Sequence, residues 1–61
     1  MKRKALIKHV RKNGCSLVRE GGNQSVYINS AKMKISTIPR HKEIYDNLAK
    51  KICKDLEIPF P

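Results

Sequence analysis

The 61-residue chain carries 14 Lys and Arg against 5 Asp and Glu, which gives a net charge of +9. A chain this short buries only about 60% of the surface that its unfolded form exposes, so we expect one domain over residues 1–61 and no deep cleft. The charge favours a polyanionic partner, nucleic acid first, whose binding weakens as salt rises.

Residues 2–13 predict a first helix, since Leu6, Ile7 and Val10 share one stripe at helical spacing. Gly14 follows Asn13 and predicts the end of this helix, because glycine accepts the left-handed conformation there. Residues 15–20 predict a first strand. Gly21, Gly22 and Asn23 then predict a turn that tolerates positive φ.

Residues 25–29 alternate and predict a second strand. Val26 and Ile28 lie on one face, and the polar face carries Ser25, Tyr27 and Asn29. After a turn at 29–32, residues 33–38 predict a third strand that has Met33 and Ile35 on one face and that ends at Pro39.

Residues 40–42 predict a loop, and Asp46 is the expected N-cap of a second helix over residues 47 to about 56. Leu48, Ile52 and Leu56 recur every four residues and give this helix an apolar face. The tail from residue 58 is expected to fold back on the core. The fold class is therefore α+β, an α-β-β-β-α chain with a three-stranded antiparallel sheet, as in double-stranded-RNA-binding domains. We expect both helices on one face of the sheet.

No segment approaches the length of a membrane span, and the basic start leads only into the short apolar run at 5–7, so no membrane or secretory role is expected. Cys15 and Cys53 are predicted to be free, buried thiols in a reducing cytoplasm. No spacing of Cys and His indicates a metal site, and we expect neither a metal nor a small-molecule cofactor.

The chain resembles the HicA toxin family, small bacterial RNA-cleaving toxins that pair with a HicB antitoxin. The resemblance covers almost the whole chain and rests on the order of several pieces. These are the basic first helix ending at Asn13-Gly14, the strand with Leu17-Val18-Arg19, the Gly-Gly-Asn turn, the corner Ile38-Pro39-Arg40-His41 and the closing helix with Leu48-Ala49-Lys50-Lys51-Ile52. It implies a ribonuclease that cleaves messenger RNA without a metal.

The resemblance also implies a single catalytic histidine directly after the glycine-rich turn, in the form Gly-Ser-His or Gly-Asn-His. The matching triplet here is Gly22-Asn23-Gln24, and Ser25 follows it. Histidine can move a proton near neutral pH, whereas glutamine can only donate and accept hydrogen bonds. Gln24 is either an engineered replacement, a natural copy that is decayed or repurposed, or a polar strand-edge residue of an unrelated domain. Each interpretation predicts weak or absent RNA cleavage.

Other candidate residues concern RNA binding. Arg40 is the first choice, because its planar fork suits a phosphate and Pro39 fixes the chain beside it. Lys32 and Lys34 are next. Tyr27 either stacks on a base or packs against the protein. The chain has two histidines. His41 is a phosphate contact, a second proton carrier or a loop-capping group, and His9 is expected to be solvated.

Two other functions fit the same sequence. One is a non-catalytic basic RNA-binding module of the same fold, which shares the charge and the missing histidine. The other is a protein-interaction subunit whose basic surface binds an acidic partner, and a HicB-like antitoxin is itself such a partner. RNA binding without the antitoxin separates these two functions.

Overall fold

The computed structural model describes all residues, 1–61, and places two helices and three strands in the predicted order. The elements are α1 (Arg3–Lys12), β1 (Cys15–Glu20), β2 (Gln24–Asn29), β3 (Lys34–Pro39) and α2 (Asp46–Asp55). The strands form one antiparallel sheet in the order β1-β2-β3. The predicted fold class is confirmed. Neither helix has the length and apolar character needed to cross a membrane.

One hydrophobic core lies between the two helices and a single face of the sheet. Leu6 and Val10 of α1 share this cluster with Ile52 of α2 and with Ile38 of β3, and all four are almost fully buried. Since residues from both helices meet the same strand face, both helices cover that face and leave the other open.

The two cysteines belong to the same core. Cys15 and Cys53 are buried and free, as predicted. Burial raises the pKa of both thiols, because the charged thiolate is poorly solvated there.

Strand β2 turns Ser25, Tyr27 and Asn29, the face that the sequence marked as polar, to the helix-covered core, and Val26 on the other face is also buried. Tyr27 is only 3% exposed and belongs to the core cluster, together with the buried Ser25 and Asn29. The Ser25 hydroxyl and the Asn29 amide are both hydrogen-bonded, which offsets the cost of burying them: the Asn29 amide, for example, donates to the Leu56 carbonyl at 2.7 Å. The prediction that Tyr27 is available to stack on a base is therefore wrong, and its alternative, packing against the protein, is observed.

The same reversal affects β3. Ser36 and Ile38 face the core, whereas Ile35 is 57% exposed on the open face. There Ile35 pairs with Ile28 of the neighbouring strand. Met33 lies in the turn before β3 with φ of 53° and is mostly exposed, so its assignment to the strand was wrong.

Gly14 has φ of 88° and ends α1 as predicted. The tail folds back as predicted, since Ile58 is buried and its N–H donates to the Cys53 carbonyl at 2.9 Å. This tail also covers part of α1. A ring nitrogen of His9 lies 2.6 Å from the Pro59 carbonyl oxygen, so His9 is half-buried instead of fully solvated.

The start of α2 differs from the prediction by one residue. Tyr45 is the N-cap, with φ of −58° and ψ of 142°, and no side chain caps the helix. Asp46, the predicted N-cap, is the first helical residue, and its carboxylate accepts a hydrogen bond from the Met1 amine at 3.2 Å. The Tyr45 ring is 85% exposed, so the native residue contributes little to stability at this position.

We expect Tyr45→Ser to raise the free energy of unfolding by about 0.5–2 kcal/mol, because a serine hydroxyl can accept a free N–H of the first turn. Urea denaturation measures this change. Tyr45→Ala is the matched control, since it removes the ring without adding a cap. Equal stability of the serine and alanine variants would contradict the prediction.

Candidate functional site

The turn before β2 is closed by a backbone contact. The Gly21 N–H donates to the Gln24 carbonyl at 2.7 Å, and a Cβ at position 21 would lie 3.1 Å from that oxygen. A side chain at position 21 would therefore crowd this contact. Gly22 has no such neighbour, and neither residue adopts the positive φ that the sequence suggested.

Gln24 is the first residue of β2, and its side chain is exposed. It pairs with Pro39 across the sheet. The carbonyl oxygen of the preceding residue, Asn23, accepts a hydrogen bond from the Arg40 N–H at 3.2 Å. The backbone on both sides of Gln24 is thus fixed to the β3 corner, and the side chain stands free in solvent.

Ser25, the next residue, joins one arginine to a carboxylate that a second arginine also binds. Its hydroxyl accepts a hydrogen bond from Arg3 Nη2 at 2.9 Å and donates to Glu20 Oε1 at 2.5 Å. The other Glu20 oxygen accepts a hydrogen bond from Arg40 Nη2. Arg3 Nε donates to the Pro39 carbonyl at 2.8 Å. We call Arg3, Glu20, Ser25, Pro39 and Arg40 the arginine network.

The network changes the acidity of Glu20. The Ser25 hydroxyl holds the pKa of the Glu20 carboxyl below its ordinary value of 4.5, and the Arg40 and Arg3 guanidinium groups add to this effect. Glu20 therefore stays ionised at neutral pH. An ionised carboxylate keeps both guanidinium groups in place, so the network orients two cations around Ser25, the residue that follows Gln24.

A basic surface depression, which we call the cationic groove, runs beside the network. It lies between the start of α1 and the segment after β3. Its lining residues are Lys2, Arg3, Lys4, Ile7, Arg40 and Lys42. The Arg3 N–H donates to the Lys42 carbonyl at 2.9 Å and ties the two walls together.

The groove partly agrees with the sequence-based choice of RNA-binding residues. Arg40 was selected and lines it. Lys2, Arg3, Lys4 and Lys42 were missed, although the run Lys2-Arg3-Lys4 at the start of α1 was a visible signal. Nothing in the sequence showed that the first turn of α1 lies against residues 40–42, which are nearly forty positions away.

Two selected lysines lie elsewhere. Lys34 Nζ is 3.3 Å and Lys32 Nζ 4.0 Å from the Glu57 carboxylate. Lys34 pairs with Asn29 at the opposite end of the sheet from Gln24, about 17 Å along the strand. The structure does not bring these lysines to the site.

His41 is exposed and lines a separate depression with Pro39, Glu43, Ile44, Tyr45 and Leu48. It is adjacent to Arg40 in the chain, but its side chain lies outside the cationic groove. The site therefore offers several cations for a phosphate, and Gln24 supplies hydrogen bonds without a titrating group.

A family model described as the HicA toxin of bacterial toxin–antitoxin systems matches residues 3–58. This range includes both helices, all three strands, the glycine-rich turn and Gln24. No curated protein and no solved structure matches the chain.

We expect the Glu20 carboxylate to make stability depend on acid pH. Its native pKa lies below 4.5, so the folded state binds fewer protons than the unfolded state in that range. The contribution is present above pH 4.5 and is lost as pH falls through the lower native pKa. Urea denaturation from pH 7 to pH 3 should show a smaller loss of unfolding free energy in Glu20→Gln than in the unchanged protein.

Glu57→Gln is the control, because it removes a carboxylate at the far end of the sheet. An equal acid dependence in the Glu20→Gln variant and the unchanged protein would show that the network does not hold this carboxylate in its charged form.

Proposed function

The chain belongs to the HicA toxin family, whose members are toxins of bacterial toxin–antitoxin systems, and we propose that it binds messenger RNA in the cytoplasm without cleaving it efficiently. The observation that carries this proposal is the position of Gln24. It lies exposed between two residues, Asn23 and Ser25, whose hydrogen bonds lead to Arg40 and Arg3. A substrate phosphate held by these cations lies next to a side chain that cannot transfer a proton.

Metal-free RNA cleavage requires two proton transfers. The ribose 2′-hydroxyl attacks the adjacent phosphorus and gives up its proton, and the departing 5′-oxygen gains one. A histidine can perform either step because it exchanges a proton near neutral pH. A glutamine amide at position 24 can hydrogen-bond to the 2′-hydroxyl or to a phosphate oxygen, but it leaves both protons where they are.

The arginine network supplies the electrostatic part of the same reaction. Arg3 uses Nε and one Nη2 proton within the protein, so its Nη1 group remains free for a phosphate oxygen. Arg40 likewise keeps N–H donors beyond its bond to Glu20. Positioned guanidinium groups stabilise the extra negative charge of the pentacoordinate phosphate, so this chain keeps charge stabilisation while it lacks proton transfer.

A non-catalytic RNA-binding module is the second candidate function, and the cationic groove favours it, because the groove needs no group at position 24. The two functions differ in a single respect. In a toxin scaffold, the groove holds the scissile phosphate beside position 24, so a histidine there creates cleavage. In a binding module, a histidine at position 24 creates no cleavage.

We further propose a HicB-like antitoxin as the protein partner. The cationic groove is basic and Gln24 is exposed, and an antitoxin with acidic side chains would cover the groove and extend to position 24. Such a partner competes with RNA for the same cations. Equal antitoxin affinities of the Gln24→His variant and the unchanged chain would show that residue 24 affects chemistry and leaves recognition unchanged.

We expect Gln24→His to raise the rate of RNA cleavage by at least about 10²-fold, the lower range for one general acid–base group. The variant is purified free of antitoxin, and cleavage of a labelled single-stranded RNA is followed in the presence of a chelator. The rate should vary with pH as a histidine titrates. Intact RNA after prolonged incubation would reject the toxin-scaffold proposal and leave the binding module.

His41→Ala is the control for this experiment, alone and combined with Gln24→His. If His41 were itself the proton carrier, the unchanged chain would show slow cleavage that His41→Ala abolishes. We expect the gain from Gln24→His to persist in the double variant.

We also expect RNA binding to depend on salt through the groove. Lys42→Ala should lower the slope of log affinity against log salt by about 0.7, the value for one phosphate contact on a single strand. Lys54→Ala is the matched control, since it removes the same charge from an exposed position in the last turn of α2. Equal slopes for the two variants would place the RNA outside the groove.

A further inference from the structure

The depression that contains His41 has a different character from the cationic groove. Tyr45, Leu48, Ile44 and Pro39 give it apolar walls. The Tyr45 ring is 85% exposed, and Leu48 is 37% exposed. We call this depression, lined by Pro39, His41, Glu43, Ile44, Tyr45 and Leu48, the Tyr45 hollow.

The hollow and the cationic groove lie on opposite sides of one chain segment. Between residues 39 and 45, Arg40 and Lys42 line the groove, whereas His41, Glu43 and Tyr45 line the hollow. The two depressions therefore share this segment and use different side chains of it. A strand of RNA that crosses the segment meets cations on one side and an aromatic ring on the other.

The segment is held in place before any ligand binds. The Ile44 side chain is buried in the core, and the Ile44 N–H donates to the Met1 carbonyl at 2.8 Å. The Lys42 carbonyl accepts the Arg3 N–H. The groove and the hollow are therefore fixed relative to each other through this backbone.

Stability does not explain a tyrosine at position 45. The ring lies in solvent, and the residue is an N-cap that supplies no capping hydrogen bond. The only acidic side chain in the hollow, Glu43, accepts contacts from the Met1 amine at 3.0 Å and from Lys2 Nζ at 3.9 Å. The Met1 amine also contacts the Asp46 carboxylate at 3.2 Å, so these two cations partly offset two carboxylates, and the lysines and arginines of the adjacent groove supply the attraction for an anionic strand.

We propose that the Tyr45 hollow binds a nucleobase of single-stranded RNA, which stacks on the Tyr45 ring while its neighbouring phosphates lie in the cationic groove. Every base has a flat π-face, so a ring of this kind binds without strong sequence preference. The proposal rests on the proposed RNA-binding function and identifies the single-stranded, unpaired state as the form that is bound, because a paired base cannot insert its face against the ring.

The test uses variants that differ only at the ring. Fluorescence anisotropy measures binding of a labelled single-stranded RNA of about ten nucleotides to the full chain. Tyr45→Ser should weaken binding by about 5- to 150-fold, the effect of losing one base–aromatic stack. Tyr45→Phe keeps the stacking surface and should bind within about twofold of the unchanged chain. The serine variant is expected to be the more stable protein, so its weaker binding would not reflect unfolding.

An abasic RNA probe distinguishes the contribution of base stacking from that of phosphate charge. An RNA of equal length with abasic riboses keeps the phosphates and should bind equally to Tyr45→Ser and to the unchanged chain. The salt slope should also be the same for both proteins, since the substitution removes no charge. The hollow is not a base site if Tyr45→Ser binds base-bearing RNA as tightly as the unchanged chain does. The same conclusion follows if Tyr45→Ser weakens the binding of abasic RNA as much as that of base-bearing RNA.

Three further outcomes distinguish failure of this inference from failure of the proposed function. Absence of RNA binding by the unchanged chain at low salt would reject the function and the hollow together. RNA binding that responds to Lys42→Ala and ignores Tyr45→Ser would reject the hollow alone. Loss of antitoxin binding in Tyr45→Ser, with RNA binding unchanged, would show that the hollow binds a protein side chain and would overturn the proposal.

Discussion

The hydroxyl group of Ser25 is the contact on which the site depends. It is fully buried, and it joins Arg3 from α1 to Glu20 from β1 at the point where β2 begins. A buried hydroxyl without partners would be costly, and here both of its roles, acceptor and donor, are filled. The Ser25 side chain thus fixes α1, β1 and β2 relative to one another. Since Arg40 binds the same Glu20 carboxylate, the corner after β3 is fixed to them as well.

This arrangement allows a very small domain to keep cations together. Arg3 and Arg40 repel each other, and the intervening Glu20 carboxylate offsets that repulsion. The lysines of the groove extend the positive field to solvent. The domain is too small to enclose a substrate, so its site is a shallow surface built on the backbone ends of α1, β2 and β3. Binding by such a surface relies on charge and on exposed aromatic area.

The separation of binding from proton transfer follows from this construction. The cations are held by hydrogen bonds that do not involve the Gln24 side chain, and the Gln24 backbone is fixed by the turn and by its pairing with Pro39. Replacing the side chain at 24 is therefore expected to leave the surrounding hydrogen bonds intact. Under the proposed function, such a change alters proton transfer and keeps the cationic groove.

The amino-acid sequence by itself determined the element order, the turns, the free buried cysteines and the family resemblance, since these depend on local spacing and on residues near each other in the chain. It also proposed Gln24 and Arg40 as site residues, and Arg40 lines the cationic groove. It did not show which face of β2 the helices cover, because alternation shows only that the two faces differ. Burial of Ser25 and Asn29 required partners from Arg3, Glu20 and Leu56, and hydrogen bonds between distant residues leave no periodic signal. The tertiary structure alone decided that the first turn of α1 contacts residues 40–42. It also decided that the Tyr27 ring is buried in the core and that the Tyr45 ring is exposed. The physical reason is that these contacts depend on which surfaces the fold brings together.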